Sequence, residues 1–572
     1  MLKGAAGAGL GGLALWLAAC QGSDDDEGTS GSGSPAQSAA GTSSPATATA
    51  AQLEQFEWTQ NKPDLKAAAR RGGTFKYSTH VTPPSLDPIK SASFESANIY
   101  TPAYNRLIRG EYGTELEPYN PWRLRLKGDL AESWEHPDAM TYVLKLRPNV
   151  NYQDVPPVSG RPFTAADAKF SLDAFLASAE TASQLPFRVE APDAQSVKLT
   201  LTKPANYVLQ ALGDPRFVML AREVAEEDGD FSKRAVGTGP FILDEMVPST
   251  RARYRRNPTY FRQDRPYLDA LQFDHFKDSA SSKAAFIANQ YEYAQYLTTL
   301  QDEVNDVLAA RKDAVSLKLQ SRWQSNVFSI GFAADRPPYS DVRVRTAISK
   351  GFDHGAHGEK AYPLGYNVLG AYAWIDMFES APDLGDAYKY DPQAAKQMLT
   401  AAGVQTPLTV PLDYFVYGGD AEDQLQLIQE QLKGIDVDLQ LQKLDYTAFL
   451  AKYYGQKVDN AITSFIPTTP RWAPLSMFSL FRSGQPKNYL RISSPEFDVA
   501  VDKLTTTEST EEQKKAYQEA WLKLMQPAYF VSMSEGSTFF ISSPKLHGLL
   551  PNMYNDPAGW GNQAMEDWWV ET

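Results

Sequence analysis

An α/β protein divided into more than one lobe is the fold class this sequence predicts, on three observations. The chain has 572 residues, 42% of them hydrophobic, and single cores stop growing near about 250–300 residues, so its apolar material is shared between cores. Short runs alternating apolar and polar residues, the mark of half-buried strands, recur between segments whose apolar residues fall at helical spacing. The stretch Ala235 to Leu271 concentrates turn and strand signals so densely that the rest of the chain is organised around it.

That stretch opens Ala235-Val236-Gly237-Thr238-Gly239-Pro240-Phe241. Gly237 and Gly239 admit backbone angles closed to other residues and Pro240 fixes the next one, so the chain turns sharply before Phe241-Ile242-Leu243 reads as a strand. Arg251-Ala252-Arg253-Tyr254-Arg255-Arg256 reads as a second strand with its charges on a solvated face. Asn257-Pro258, Tyr260-Phe261 and Arg265-Pro266-Tyr267 then punctuate the chain before Leu268-Asp269-Ala270-Leu271.

From the N-terminus, Leu10 to Ala19 is apolar but too short to span a bilayer comfortably, and it leads into Cys20, the only cysteine. One cysteine excludes an intrachain disulfide and a thiolate metal cluster. Residues 21–51 are built from Gly, Ser, Ala, Thr, Pro and the acidic run Asp24-Asp25-Asp26-Glu27. They cannot bury a core, so a flexible tether is expected over 21–60, and about 30 such residues span on the order of 30 Å.

Gly72-Gly73-Thr74-Phe75-Lys76-Tyr77 reads as the first strand of the body, and Ser91 to Ile108 has helical spacing through Phe94, Ile99 and Tyr104. Tyr142, Leu144 and Leu146 alternate as on a half-buried strand, and Thr164 is placed to cap a helix running to Leu176. Val327 to Phe332 reads as a strand. Ser340-Asp341 caps a helix whose Val344, Ala347 and Ile348 share an apolar face. Tyr390 to Val404 is a helix stopped at Gly403, and Leu427 to Leu432 followed by Ile435 to Leu439 is a helix-to-strand unit.

In order, these parts resemble the peptide, nickel and oligosaccharide family of solute-binding proteins that feed ABC importers, family 5. There "GTGPY", a hairpin, "RNPxYW" and "KPYLD" follow in sequence; here Phe261 and Arg265 replace the tryptophan and lysine. Leu130-Ala131-Glu132-Ser133-Trp134-Glu135 resembles "LAESWE", Phe163-Thr164-Ala165-Ala166-Asp167 resembles "PFTAED", and Pro337-Pro338-Tyr339-Ser340-Asp341-Val342-Arg343-Val344-Arg345 resembles "PPFDDVRVR". The resemblance covers about Gly72 to Trp569. It implies a periplasmic-binding-protein-like type II fold: lobe I from 61–107, 232–323 and 526–572, an extra subdomain at 108–231, and lobe II at 324–525, hinged to shut on a solute.

It further implies a ligand wall at Tyr77, Ser78, Ser85 and Tyr104, with Tyr152 and Asp154 on a lip where the family's "WHDGxPF" is interrupted by an insertion. In lobe II the wall falls on Phe465, Thr469, Arg471 and Trp472. Peptide binders carry "WxADYxDP" there, whose acid pairs with the peptide ammonium; here that acid is missing and Arg471 brings the opposite charge. A buried ammonium facing Arg471 would cost roughly several kcal/mol, so an anionic or uncharged oligosaccharide, opine-like conjugate or capped peptide is expected beside Trp472. Leu17-Ala18-Ala19-Cys20 resembles a bacterial lipobox with Cys20 as the lipidated residue, and Met1-Leu2-Lys3-Gly4 resembles the tail of a twin-arginine signal, which places the natural start upstream.

A formal net charge of −14 argues against nucleic acid, which needs clustered cations. There is no GxSxG elbow, P-loop or HExxH, and His354 and His357, the only close histidine pair, are expected in a loop because of Gly355 and Gly358. The expectation is a binding protein and not an enzyme: a monomer without cofactor or metal, lipid-anchored on the outer face of the cytoplasmic membrane, presenting a peptide or oligosaccharide to permease and ATPase subunits. A sensor or chaperone lipoprotein, and a hydrolase on the same fold, are the alternatives.

Overall fold

A computed structural model describes residues 57–64, 67–79, 85–91, 94–110, 126–178, 181–182, 185–294, 301–319, 329–362, 366–367, 383–416, 421–464, 481–486, 488–533, 535–536, 538–549 and 565–572. The fold is mixed α/β and two-lobed, with a large sheet in each lobe and a third sheet inserted in the first.

The first lobe is an eight-stranded sheet ordered Glu57–Gln60, Val315–Leu319, Thr538–Ser542, Tyr293–Ala294, Thr74–Thr79, Ala270–His275, Arg251–Arg256 and Phe241–Val247. Thr74–Thr79 lies inside it, parallel to both neighbours, and is accordingly apolar and buried on Phe75 and Tyr77. The signature stretch supplies the opposite edge as a meander of three antiparallel strands. Its arginines do line a solvent face, and each meets an acid on the next strand: Arg251 to Asp274 (2.5 Å), Arg253 to Glu245 (3.5 Å) and Arg255 to Asp244 (3.3 Å). Glu57–Gln60 falls within the expected tether, yet it pairs with Val315–Leu319, so chain that the sequence assigned to a linker is sheet from Glu57 onward.

Between the first lobe's segments, the strands Ala131–Asp138, Thr141–Leu146, Ser196–Leu201 and Phe187–Asp193 form an antiparallel sheet of four. The helix Ala165–Leu176 packs on it. The helix starts where Thr164 was expected to cap it, because Asp167 Oδ2 accepts from both the Thr164 backbone N–H and its hydroxyl at 2.9 Å.

The second lobe is a five-stranded sheet ordered Val437–Lys443, Leu408–Tyr414, Ala461–Ser464, Ser329–Phe332 and Phe530–Ser532. Its own core gathers Ile330, Val344, Ile348, Leu399, Leu412, Ile428 and Val437 under the helices Val342–Lys350, Pro392–Ala401 and Ala421–Lys433. The chain passes from one large sheet to the other between Leu319 and Ser329 and returns between Ser532 and Thr538. The return was expected near Met525; it comes later because Phe530–Ser532 pairs with Ser329–Phe332, and Tyr388 Oη donates to Phe530 O (2.8 Å) and Met525 O (3.1 Å). His354–Ala361 is a helix and not the expected loop: Asp353 accepts from Ala356 N (3.0 Å) and caps it in spite of two glycines.

Candidate ligand-binding site

The first-lobe residues expected at the ligand wall are held by strands and turns whose packing is visible. Tyr77 is buried on the sheet, stacked on Tyr293 at 5.8 Å and edge-on to Phe273 at 5.6 Å. Ser78 next to it is also buried, its hydroxyl paired with that of Ser282 at 2.8 Å. Ser85 is half-buried; its Oγ accepts from Asp87 N (3.0 Å) and shapes the turn, while Asp87 takes Ile89 N (2.8 Å) and reaches Phe231 N (3.3 Å). Both serines spend these bonds on the protein itself.

Tyr104 and the Tyr152–Asp154 loop are brought together by the signature turn. Tyr104 is buried with its ring against Gly237, where an added Cβ would lie 2.4 Å from Tyr104 Cδ1. Tyr152 is fully buried, its Oη donates to Leu220 O at 2.8 Å, and the Arg161 guanidinium lies 4.5 Å over its ring. Burial drives both phenols upward, so they stay protonated. Asp154, on the same loop, is exposed beside Gly160. Of the three, Asp154 alone presents its polar group to solvent.

Sequence reasoning passed over the residue that joins them. Gln153 is fully buried and its Nε2 donates to Phe241 O (2.7 Å), Ala103 O (3.2 Å) and Gly239 O (3.3 Å), while its backbone N–H donates to Gly237 O (2.9 Å). The two N–H bonds of the carboxamide, shared among three carbonyls, and the backbone N–H to the fourth supply the donors that these closely spaced acceptors require. Gln153 stands where the family's "WHDGxPF" has histidine, and that motif position gives no sign that it is a hub.

A buried ionic cluster lies beside the same turn. Glu566 accepts from Arg109 (2.7 Å), from Arg262 (2.9 Å) and from Tyr260 Oη (2.6 Å); Arg262 also reaches Asp129 (2.6 Å), whose other oxygen takes Arg106 N (2.9 Å). Burial by itself would raise the Glu566 and Asp129 carboxyls, but the Arg262 and Arg109 guanidiniums outweigh it and hold both well below the usual carboxylate range. Lys127 nearby is lowered too, to about 8 by burial with Arg109 adding to it, which in a lysine disfavours the charged form. Thr238 joins the set through Asn105, hydroxyl to amide oxygen at 3.1 Å. The ordered pieces of the signature are therefore one mutually bonded unit that ties the extra subdomain to the C-terminal segment.

Phe465, Thr469, Arg471 and Trp472 lie outside the described residues, as does Cys20. The strand that leads to the first four, Ala461–Ser464, occupies the middle of the second sheet. Among the described residues no group of three or more His, Cys, Asp or Glu is placed to hold a metal ion. His354 and His357 share the face of one helix and are buried, and burial lowers both to about 4, the neighbouring imidazole adding to the effect on His354.

Two large sheets linked by two chain crossings give the architecture of a two-lobed binding protein. Residues 125–489 match the profile of the bacterial extracellular solute-binding proteins, family 5, middle region, and the chain belongs to that family. It is 29% identical over 307 residues to a putative ABC transporter peptide-binding protein of Brucella ovis, a stretch covering 51% of this chain and 55% of the relative. The match thus spans about half the length of that relative. Among solved structures, the ABC transporter-associated periplasmic binding protein DppA of Helicobacter pylori in complex with the peptide STSA superposes with a TM-score of 0.75 at 18% identity, over 88% of this chain and 99% of that one. The A. tumefaciens R10 binding protein MoaA in complex with mannopinic acid gives 0.74 at 22% identity, over 88% and 100%. No helix among the described residues is long and apolar enough to cross a membrane.

Proposed function

We propose that this protein captures a small peptide-like or sugar-like solute between its two lobes, releases it chemically unchanged to the permease of an ABC importer, and stays on the outer face of the membrane through a lipid on Cys20. The observation that carries the reading is the pair of chain crossings, Leu319 to Ser329 and Ser532 to Thr538, between two large sheets, the second of which has a core of its own under its helices. A solute that touches both lobes stabilises the shut form by the contacts the open form lacks, which is binding without reaction.

The solute class follows from charge. Relatives are named for peptides and one structural neighbour holds mannopinic acid. In this chain Arg471 and Trp472 stand where peptide binders have an acid for the ammonium, which favours a carboxylate-bearing or uncharged ligand with a face to stack. Tyr77, Ser78, Ser85, Tyr104, Tyr152 and Asp154 would act from the first lobe, Asp154 directly and the buried rings by fixing its wall.

Native mass spectrometry of the purified protein for a co-purified solute tests the reading. Calorimetry with dipeptides, an oligosaccharide series and an opine then sorts the class. Tight binding of unmodified dipeptides would overturn the Arg471 argument; a recovered solute that has been cleaved would overturn binding without reaction.

A further inference from the structure

Away from the two crossings, a polar contact among the described residues bridges the extra subdomain and a helical hairpin of the second lobe. Asn206, between the strand Ser196–Leu201 and the short helix Val208–Leu212, meets the end of the helix Pro495–Thr506. Its backbone N–H donates to Thr505 O (3.0 Å), and its Nδ2 donates to Leu504 O (3.1 Å) and Thr507 O (2.5 Å). The last carbonyls of a helix have no partner within it, so a side-chain amide placed there closes a gap that water can fill equally well. Thr507 O has a second donor in Gln513 Nε2 at 2.7 Å. Asn206 is half-buried and Leu504 and Thr505 are buried, so parting the contact requires water to enter this end of the helix and take over the freed carbonyls.

We propose that Asn206 is a latch: its bonds to the helix end form when the lobes shut and part when they open, and they set the resting balance between the two. This rests on the hinged reading of the lobes given above. The geometry of the hairpin supplies the reason. Its second helix, Thr510–Met525, has 16 residues, about 24 Å at 1.5 Å per residue. The Met525 end is fixed to the second lobe, because Tyr388 Oη donates to both Met525 O and Phe530 O just before the return crossing. The Thr507 end therefore stands about one helix length from the crossing, and a hinge rotation of roughly 20° carries it on the order of 8 Å. A hydrogen bond does not survive such a displacement.

The test uses the full chain with Cys20→Ser and spin-label pairs read by electron–electron distance measurement. One pair, Lys203→Cys with Glu511→Cys, spans the latch; another, Asp244→Cys with Lys433→Cys, spans the lobes away from it. Both are recorded in protein as purified and after unfolding and refolding strip any co-purified solute, with Asn206→Ala and Asn206→Asp alongside. Far-ultraviolet circular dichroism and melting of each variant certify that it is folded. Expected is a several-fold rise in the long-distance population of both pairs on Asn206→Ala, and a larger rise on Asn206→Asp, whose carboxylate faces carbonyl oxygens. If the lobe pair lengthens on stripping while the latch pair stays short in every variant, the contact is a fixed joint and the latch is wrong. If the lobe pair shows one unchanged distance under all conditions, the hinge itself is wrong.

Discussion

Glu566 shows how one carboxylate can outweigh its burial. It lies among Arg109, Arg262 and Tyr260, and removing one partner from such a set leaves uncompensated charge out of water. Glu566→Gln keeps the volume and abolishes the charge; it is expected to cost about 3–5 kcal/mol, read as a lower Tm, whereas an unchanged Tm would show the cluster to be neutral in sum. His354 and His357 set the acid limit from the opposite side. Their folded-state values lie near 4 and the unfolded value near 6.5, so below pH 6.5 the unfolded chain binds protons that the folded one refuses. Stability therefore falls as pH drops from 6.5 toward 4, by on the order of 3 kcal/mol for each histidine. His357→Leu is expected to flatten that slope in a series of melts between pH 4 and 7.5, and an equal slope would remove His357 from the account.

At the scale of elements, the glycines of the turn Gly237-Thr238-Gly239-Pro240 are required by contact and not, as expected, by backbone angle, since neither has a positive φ. A Cβ on Gly239 would lie 2.3 Å from Ala103 C and 2.4 Å from Tyr104 N, and backbone on that side cannot move away. Gly239→Ala is expected to abolish accumulation of folded protein. Gly229→Ala is the matched comparison: nothing lies within 4 Å of its added carbon, so only its left-handed φ of +84° is at stake, roughly 1–2 kcal/mol. Equal soluble yields of the two variants would show that the approach at Gly239 is not limiting. The same logic explains His354–Ala361, where glycine content argued for a loop. Capping by Asp353 and burial of one helix face outweigh about 1 kcal/mol of propensity per glycine.

Over the whole molecule, the proposed capture of a solute between two sheets joined by two crossings turns on domain motion. Small-angle scattering is expected to show a smaller radius of gyration with bound solute than after stripping, and an identical radius would count against closure. Arg471→Asp restores the charge sign seen in peptide binders; it is expected to weaken an anionic solute at least tenfold and to strengthen dipeptides, both read by calorimetry.

The sequence by itself determined the order of parts, because turn chemistry, caps and strand alternation are local. Gly237-Thr238-Gly239-Pro240, the Thr164 cap and the paired basic strand Arg251–Arg256 are each written in a few neighbouring residues. It also carried the family, since the motifs recur in a fixed succession. Only the tertiary structure decided that Glu57–Gln60 is sheet and that Phe530–Ser532 closes the second sheet and not the first, because strand pairing depends on partners far away in sequence, as Glu57 is from Lys318 and Ser329 from Ser532. It likewise decided that Gln153 and Glu566 bind the signature together. Gln153 stands at the histidine position of the interrupted "WHDGxPF" and Glu566 in no motif, and either becomes a hub only through the donors and carbonyls that folding places around it.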